Sequence, residues 1–176
     1  MRTICIAFIA ASAAGCVSTY RGTAEPAEPS IFDQDWVAAK GVPVIRQVSK
    51  DDCGATALAM VLGYYGRPVA ASEITSHRAD ALRDFARAKG FEAYCIPGKA
   101  EDLEAELAEG RPVLVGLVKP TLEGGVSHYE VVVGVSDDRV ATIDPARGLT
   151  VNSWKGFLCE WSAADRLAIT ISPRSE

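Results

Sequence analysis

Ser49–Gly66 reads SKDDCGATALAMVLGYYG, and this stretch decides how the rest of the chain is read. Leu58, Val61, Leu62 and Tyr65 recur at the i, i+3, i+4, i+7 spacing of one helix face, so a helix is expected over Cys53–Tyr65. Asp51 or Asp52 can cap its start, and Gly66 followed by Pro68 stops it. Cys53 therefore falls at the helix N-terminus, where unpaired N–H groups and the helix dipole favour a thiolate over a thiol. Asp51 and Asp52 oppose that anion, so a nucleophilic Cys53 needs a positive partner. Gly54 beside it is expected to leave room for a substrate backbone.

The chain contains two histidines. His77, in EITSHRAD, sits in a polar helical context and reads as a surface residue. His128 opens an apolar strand directly after the glycine-rich LEGGVS, where a strand end would hold an imidazole rigidly and a loop would leave access. Beside Cys53 it would form a thiolate–imidazolium pair. The segment SHYEVVVGVSDDRVATIDPARG reads as two strands, His128–Val135 and Val140–Ile143, with Asp144 at the end of the second. If they form a hairpin, His128 and Asp144 become cross-strand neighbours and Asp144 can orient the ring. Alternatively Asp144 is only a turn residue, as Asp-Pro pairs often are. Gln47, six residues before Cys53, could join the Cys53 N–H in an oxyanion hole. Gly124-Gly125 reads as a loop near this site.

Around that constellation, Gly41–Val48 is expected as a short strand, and Ser72–Gly90 as one or two helices. Phe91–Pro97 alternates as a strand, and Ala100–Gly110 is an acidic-faced helix. Arg111–Val118 is an apolar strand, SWKGFLCEW a short helix and RLAITIS a last strand. Helices first and a mostly antiparallel sheet second is an α+β arrangement. The 176 residues suffice for one domain with a core. The net charge of −5 supplies no basic footprint, so nucleic acid is not an expected partner.

The N-terminus reads separately. MRTICIAFIAASAAGC has one positive charge, an apolar run and small residues, the pattern of an export signal. Its Ala13-Ala14-Gly15-Cys16 ending resembles the lipobox of bacterial lipoproteins, which implies lipidation of Cys16 after removal of residues 1–15. An ordinary signal peptide, with Cys16 incidental, is the competing reading. Acyl chains there would anchor the domain to a membrane without spanning it. Residues 16–35, with two Glu-Pro pairs, read as a lipidated N-terminus and tether, and residues 36–176 as the domain. Val17 lacks the aspartate of inner-membrane retention, which in a Gram-negative cell points to the outer membrane facing the periplasm. Of five cysteines, Cys53, Cys95 and Cys159 then remain. Either Cys95 and Cys159 pair and leave Cys53 free, or none pairs.

Gln47, then DCGATALAMVLGYYG, SHYEVVVGV and IDPARG, resemble in type and order the bacteriocin-processing, double-glycine leader peptidases of the papain-like superfamily. The resemblance runs from about Val44 to Ile171 and implies a papain-like α+β fold with no metal or organic cofactor. It implies Cys53 as nucleophile, His128 as general base, Asp144 as orienter and Gln47 in the oxyanion hole. A peptide or protein substrate, with or without a Gly-Gly site, is the implied partner. Many members are fused to exporters, whereas this sequence reads as an exported stand-alone domain. The same residues would also serve acyl transfer, or a fold that binds a peptide without cutting it.

Overall fold

A computed structural model describes residues 23–33 and 35–174. The expected signal peptide and the lipidation residue Cys16 lie outside the described residues. The elements run β1 (Glu25–Pro26), β2 (Val37–Ala38), α1 (Cys53–Tyr64), α2 (Ala79–Ala88), β3 (Phe91–Pro97), α3 (Ala100–Ala108), β4 (Val113–Thr121), β5 (Gly124–Val135), β6 (Arg139–Asp144), β7 (Gly148–Ser153), α4 (Trp154–Ser162) and β8 (Leu167–Pro173). Short 3-10 turns occupy Pro29–Asp33 and Ala71–Glu73.

The sheet order is β1-β7-β6-β5-β4-β8-β3, with β2 pairing β5, and every described pairing is antiparallel. This is the expected α+β, papain-like arrangement. Helix α1 packs against β5 and β4, α2 against β3, α3 against β5, and α4 against β4.

Helix α1 is buried on all sides from Cys53 to Leu62, more than the one-sided stripe in its sequence required. Alanines at 55, 57 and 59 fill the other faces and let neighbouring elements approach closely. A helix apolar all round belongs in a core. It ends as its sequence asks: Arg67 N–H donates to Leu62 O (2.9 Å) and Gly66 N–H to Gly63 O (3.0 Å), with Gly66 at φ +73°. That bonding satisfies orphan carbonyls and needs a left-handed residue, hence glycine.

Gly41–Val48 is not a strand. Pro43 has no N–H to give a ladder, and the segment instead sends Val42 and Ile45 into the core while crossing toward the β6–β7 turn. Strand β7 was absent from the sequence expectation. Part of the stretch read as tether, residues 16–35, lies on the fold: β1 pairs with β7, and Phe32 packs with Trp36 of the domain over Gly134. Cys53, Cys95 and Cys159 are all unpaired, so the Cys95–Cys159 disulfide is not formed.

Candidate active site

Cys53 is the first residue of α1 and is almost completely buried. The first N–H groups of a helix have no intrahelical acceptor, so they surround this thiol with donors. Asp52 holds the N-cap position without capping: its carboxylate accepts from Ser49 N–H (3.0 Å), which tightens the loop before the helix.

His128 lies in β5 and Asp144 ends β6, at 2% and 1% exposure. The β5–β6 register pairs Val131 with Ile143. Continued by one pair it sets Asp144 opposite Glu130, so His128 meets Asp144 diagonally, two residues along the same face, rather than directly across. The imidazole Nε2–H donates to Asp144 Oδ1 at 2.8 Å, and Ala146 N–H donates to the same oxygen at 2.7 Å. His128 is also hydrogen-bonded to the Cys53 side chain. With Nε2 committed to Asp144, the ring presents Nδ1 to the thiol. The structure thus brings Cys53, His128 and Asp144 into one chain of hydrogen bonds.

The electrostatics favour an imidazolium. Burial pulls the His128 pKa down, but the hydrogen bonds to Asp144 and Cys53, and the charges of Asp144 and Glu130, outweigh it and raise the value to about 10. Burial acts in the opposite sense on Asp144, but the bond to and charge of His128, the Ala146 N–H and the Lys119 charge hold its carboxyl below the usual range.

Gln47 is tied to the same corner. Its N–H donates to Pro145 O (2.9 Å), and Arg46 bonds Ala146 O, so the loop before α1 is fastened to the turn that follows Asp144. The Gln47 side-chain Nε2 donates one hydrogen to Ser49 O (2.9 Å), which leaves its second for another acceptor.

Gly54 does not leave space for a substrate. A Cβ there would stand 3.1 Å from both Leu82 and Tyr129, so this glycine permits close packing of α1 on α2 and β5. Tyr129 is half-buried beside it, its pKa pushed up to about 12 by burial and by the neighbouring Cys53, Cys95 and Asp80. Arg78, Ala79, Asp80, Arg83 and Cys95 line a depression of about 460 Å³ at the start of α2. A surface depression of about 750 Å³ is lined by Asp35, Val37, Glu101, Glu104 and Trp154 and contains none of these residues. Size here does not mark the chemistry.

Sequence reasoning did not single out Glu130, Lys119 and Glu160, all buried, with Glu130 next to the His128–Asp144 pair. Donor atoms of His128, Glu130 and Asp144 lie within 4.8 Å of one another, a spacing that would suit a cation. Asp144 is already bonded to the imidazole and Glu130 to the Lys119 ammonium (2.7 Å), so internal partners take up these donors.

Residues 41–176 match the Peptidase C39 family. The chain belongs to the peptidase C39 family. It is accordingly an enzyme of the cysteine-peptidase class. This C39 chain is 34% identical over 127 residues to the transport/processing ATP-binding protein ComA of Streptococcus pneumoniae. The match spans 66% of the chain but 17% of that much longer protein. The solved peptidase domain of Streptococcus ComA, a bifunctional ABC transporter of a quorum-sensing pathway, superposes with a TM-score of 0.64 at 24% identity. That alignment covers 76% of this chain and all of that one. A double-glycine-motif protease from an AMS/PCAT transporter, solved with its leader peptide, gives a TM-score of 0.61 at 25% identity over 78% of this chain and 94% of that one.

Proposed function

We propose that this chain hydrolyses a peptide bond in an exported protein or leader peptide through Cys53, His128, Asp144 and Gln47. The observation that carries this reading is the hydrogen-bonded sequence from the thiol of Cys53 through His128 to Asp144 at a helix N-terminus. His128 takes the Cys53 proton through Nδ1, and the thiolate attacks the peptide carbonyl. The oxyanion is received by the Cys53 N–H and the spare hydrogen of Gln47 Nε2. The imidazolium, held by Asp144, protonates the leaving amine, and water then resolves the thioester.

The substrate we assign is a peptide with small residues, a Gly-Gly pair among them, before the scissile bond. The relative solved with a leader peptide supports it. For location we propose a lipid anchor at Cys16 on the periplasmic face of the outer membrane, supported by the Ala-Ala-Gly-Cys ending of the apolar leader. Among the described residues, no helix is long and apolar enough to cross a membrane.

The test is a set of peptides carrying Gly-Gly, Gly-Ala and bulkier pairs, incubated with wild-type and Cys53→Ala chains and read by product mass. Cleavage after the Gly-Gly pair by wild type only is expected. Equal cleavage by Cys53→Ala overturns the assignment, and a product carrying an added amine identifies acyl transfer instead. Fatty-acid incorporation that disappears in Cys16→Ser is the expected sign of the anchor.

A further inference from the structure

Three charged side chains are buried where an apolar core would cost less. Lys119 (β4) places its ammonium 2.7 Å from Glu130 Oε1 (β5) and 2.7 Å from Glu160 Oε2 (α4). Thr142 Oγ1 donates to the other Glu130 oxygen at 2.6 Å and lies 3.0 Å from Thr150 Oγ1. All five residues are 5% exposed or less. Removing charges from water costs several kcal/mol each, and replacing such a set by apolar residues is often neutral or stabilising. Stability alone therefore does not account for the cluster, and its position does. A Glu130 oxygen lies within 4.8 Å of a His128 ring nitrogen and of an Asp144 oxygen.

Two carboxylates this close normally force one of them to take up a proton. The Lys119 ammonium, 2.7 Å from Glu130 Oε1, sets a positive charge against one of the two carboxylates and offsets their repulsion beside one imidazole. The titratable groups facing His128 are then Cys53 from α1, Glu130 on its own strand and Asp144 from β6. Lys119 and Glu160 stand behind Glu130, and Arg147, from the β6–β7 turn, acts on Glu160. We propose that Glu130, paired with Lys119 and aimed by Thr142, is a positioning residue that stabilises the His128 imidazolium facing Cys53. Glu160 serves to neutralise Lys119 and stands one ion pair further from the ring.

This rests on the assignment of His128 as general base, but its test needs no substrate. The chain has two histidines, so nitrogen-labelled histidine gives two imidazole titrations, assigned with His77→Gln. Glu130→Gln is nearly isosteric: its one carbonyl oxygen can still face Lys119, while its NH2 donates to Thr142 Oγ1. It is expected to lower the His128 midpoint by about one unit or more. Glu160→Gln breaks the same cluster and is expected to lower thermal stability while leaving that midpoint within a few tenths of a unit, about the noise of such a titration. An unchanged midpoint in Glu130→Gln, or an equal fall in both variants, overturns the proposal. Where Glu130→Gln does not fold, Glu130→Asp takes its place. It keeps the charge but retracts it, and the midpoint should fall by less, with no fall contradicting the role. Retained hydrolysis in Cys53→Ala would instead remove the peptidase reading, a failure visible in a different assay.

Discussion

At the residue scale, His128 sits between a sulfur and a carboxylate, and its protonation decides what either can do. Its folded pKa, raised to about 10, lies above the free value of 6.5. Its contribution to stability is therefore complete below about pH 6.5 and is lost as pH rises through about 10. Asp144 has the opposite sign: its folded value is below 3.8, so its contribution is complete above that value and fades as pH falls further. The gap in Tm between wild type and His128→Ala should consequently narrow as pH rises from 7 to 10, followed by circular dichroism. A gap independent of pH contradicts the ion-paired state. Asp144→Asn keeps the shape of the side chain but loses the charge that stabilises the imidazolium. It should lower kcat by about 10³–10⁴-fold with KM little changed, the scale seen when a catalytic carboxylate becomes an amide elsewhere.

At the scale of elements, the site depends on how α1 meets β5. Gly54 is a contact that sets their separation, because a methyl group there would press on the Leu82 and Tyr129 side chains at 3.1 Å and require them to shift by a few tenths of an ångström. Gly54→Ala should cost about 1–3 kcal/mol by overpacking, read in a denaturant titration, and slow Cys53 chemistry by displacing the helix start from His128. A wild-type rate with wild-type stability would show that the spacing is not critical.

What was legible in the sequence follows the same elements. Helix α1, β3 and the start of α3 carry plain period or stop signals, and the structure has them nearly where expected. Cys53 and His128 stand out because their types are rare; Cys53 opens α1, whereas His128 lies inside β5, which begins at Gly124 and takes in the glycines read as a loop. Strand β7 was hidden because its buried positions include Thr150 and Asn152, polar residues that blur the apolar alternation. Glu130 was hidden for the same reason. A glutamate within a valine strand reads as solvent-facing until Lys119 and Glu160, distant in sequence, are brought to it. Gly41–Val48 misled in the other direction. Its apolar residues serve packing against the core, and its hydrogen bonds go to the Pro145 turn.

Taken whole, the molecule closes its sheet with residues well before α1. Arg147 donates to Ala24 O at 3.0 Å and Thr23 to Asn152 at 2.6 Å. Phe32 and Trp36 meet edge to face, and the Arg139 guanidinium stands over Trp36. These contacts cover the β5–β7 region on which Asp144 depends. A chain beginning at residue 40 should lose about 2–4 kcal/mol relative to one beginning at residue 23, from the apolar surface of Phe32 and Trp36 alone. Equal unfolding midpoints in urea would show that the segment only rests on the surface. Because two-residue strands such as β1 and β2 are too short to show a period, this strap could not be read from sequence.

The central claim is that His128 activates Cys53, and alkylation tests it most directly. The chain carries Cys95, half-buried, and Cys159, exposed, as thiols for comparison within the same molecule. Iodoacetamide is applied at pH 6, where an ordinary thiol of pKa about 8.5 is almost wholly protonated. Mass spectrometry then gives the modified fraction at each cysteine. The account predicts that Cys53, despite its burial, labels faster than exposed Cys159, and that the advantage disappears in His128→Ala. Slower labelling of Cys53 than of Cys159, or the same rate in His128→Ala, would contradict it.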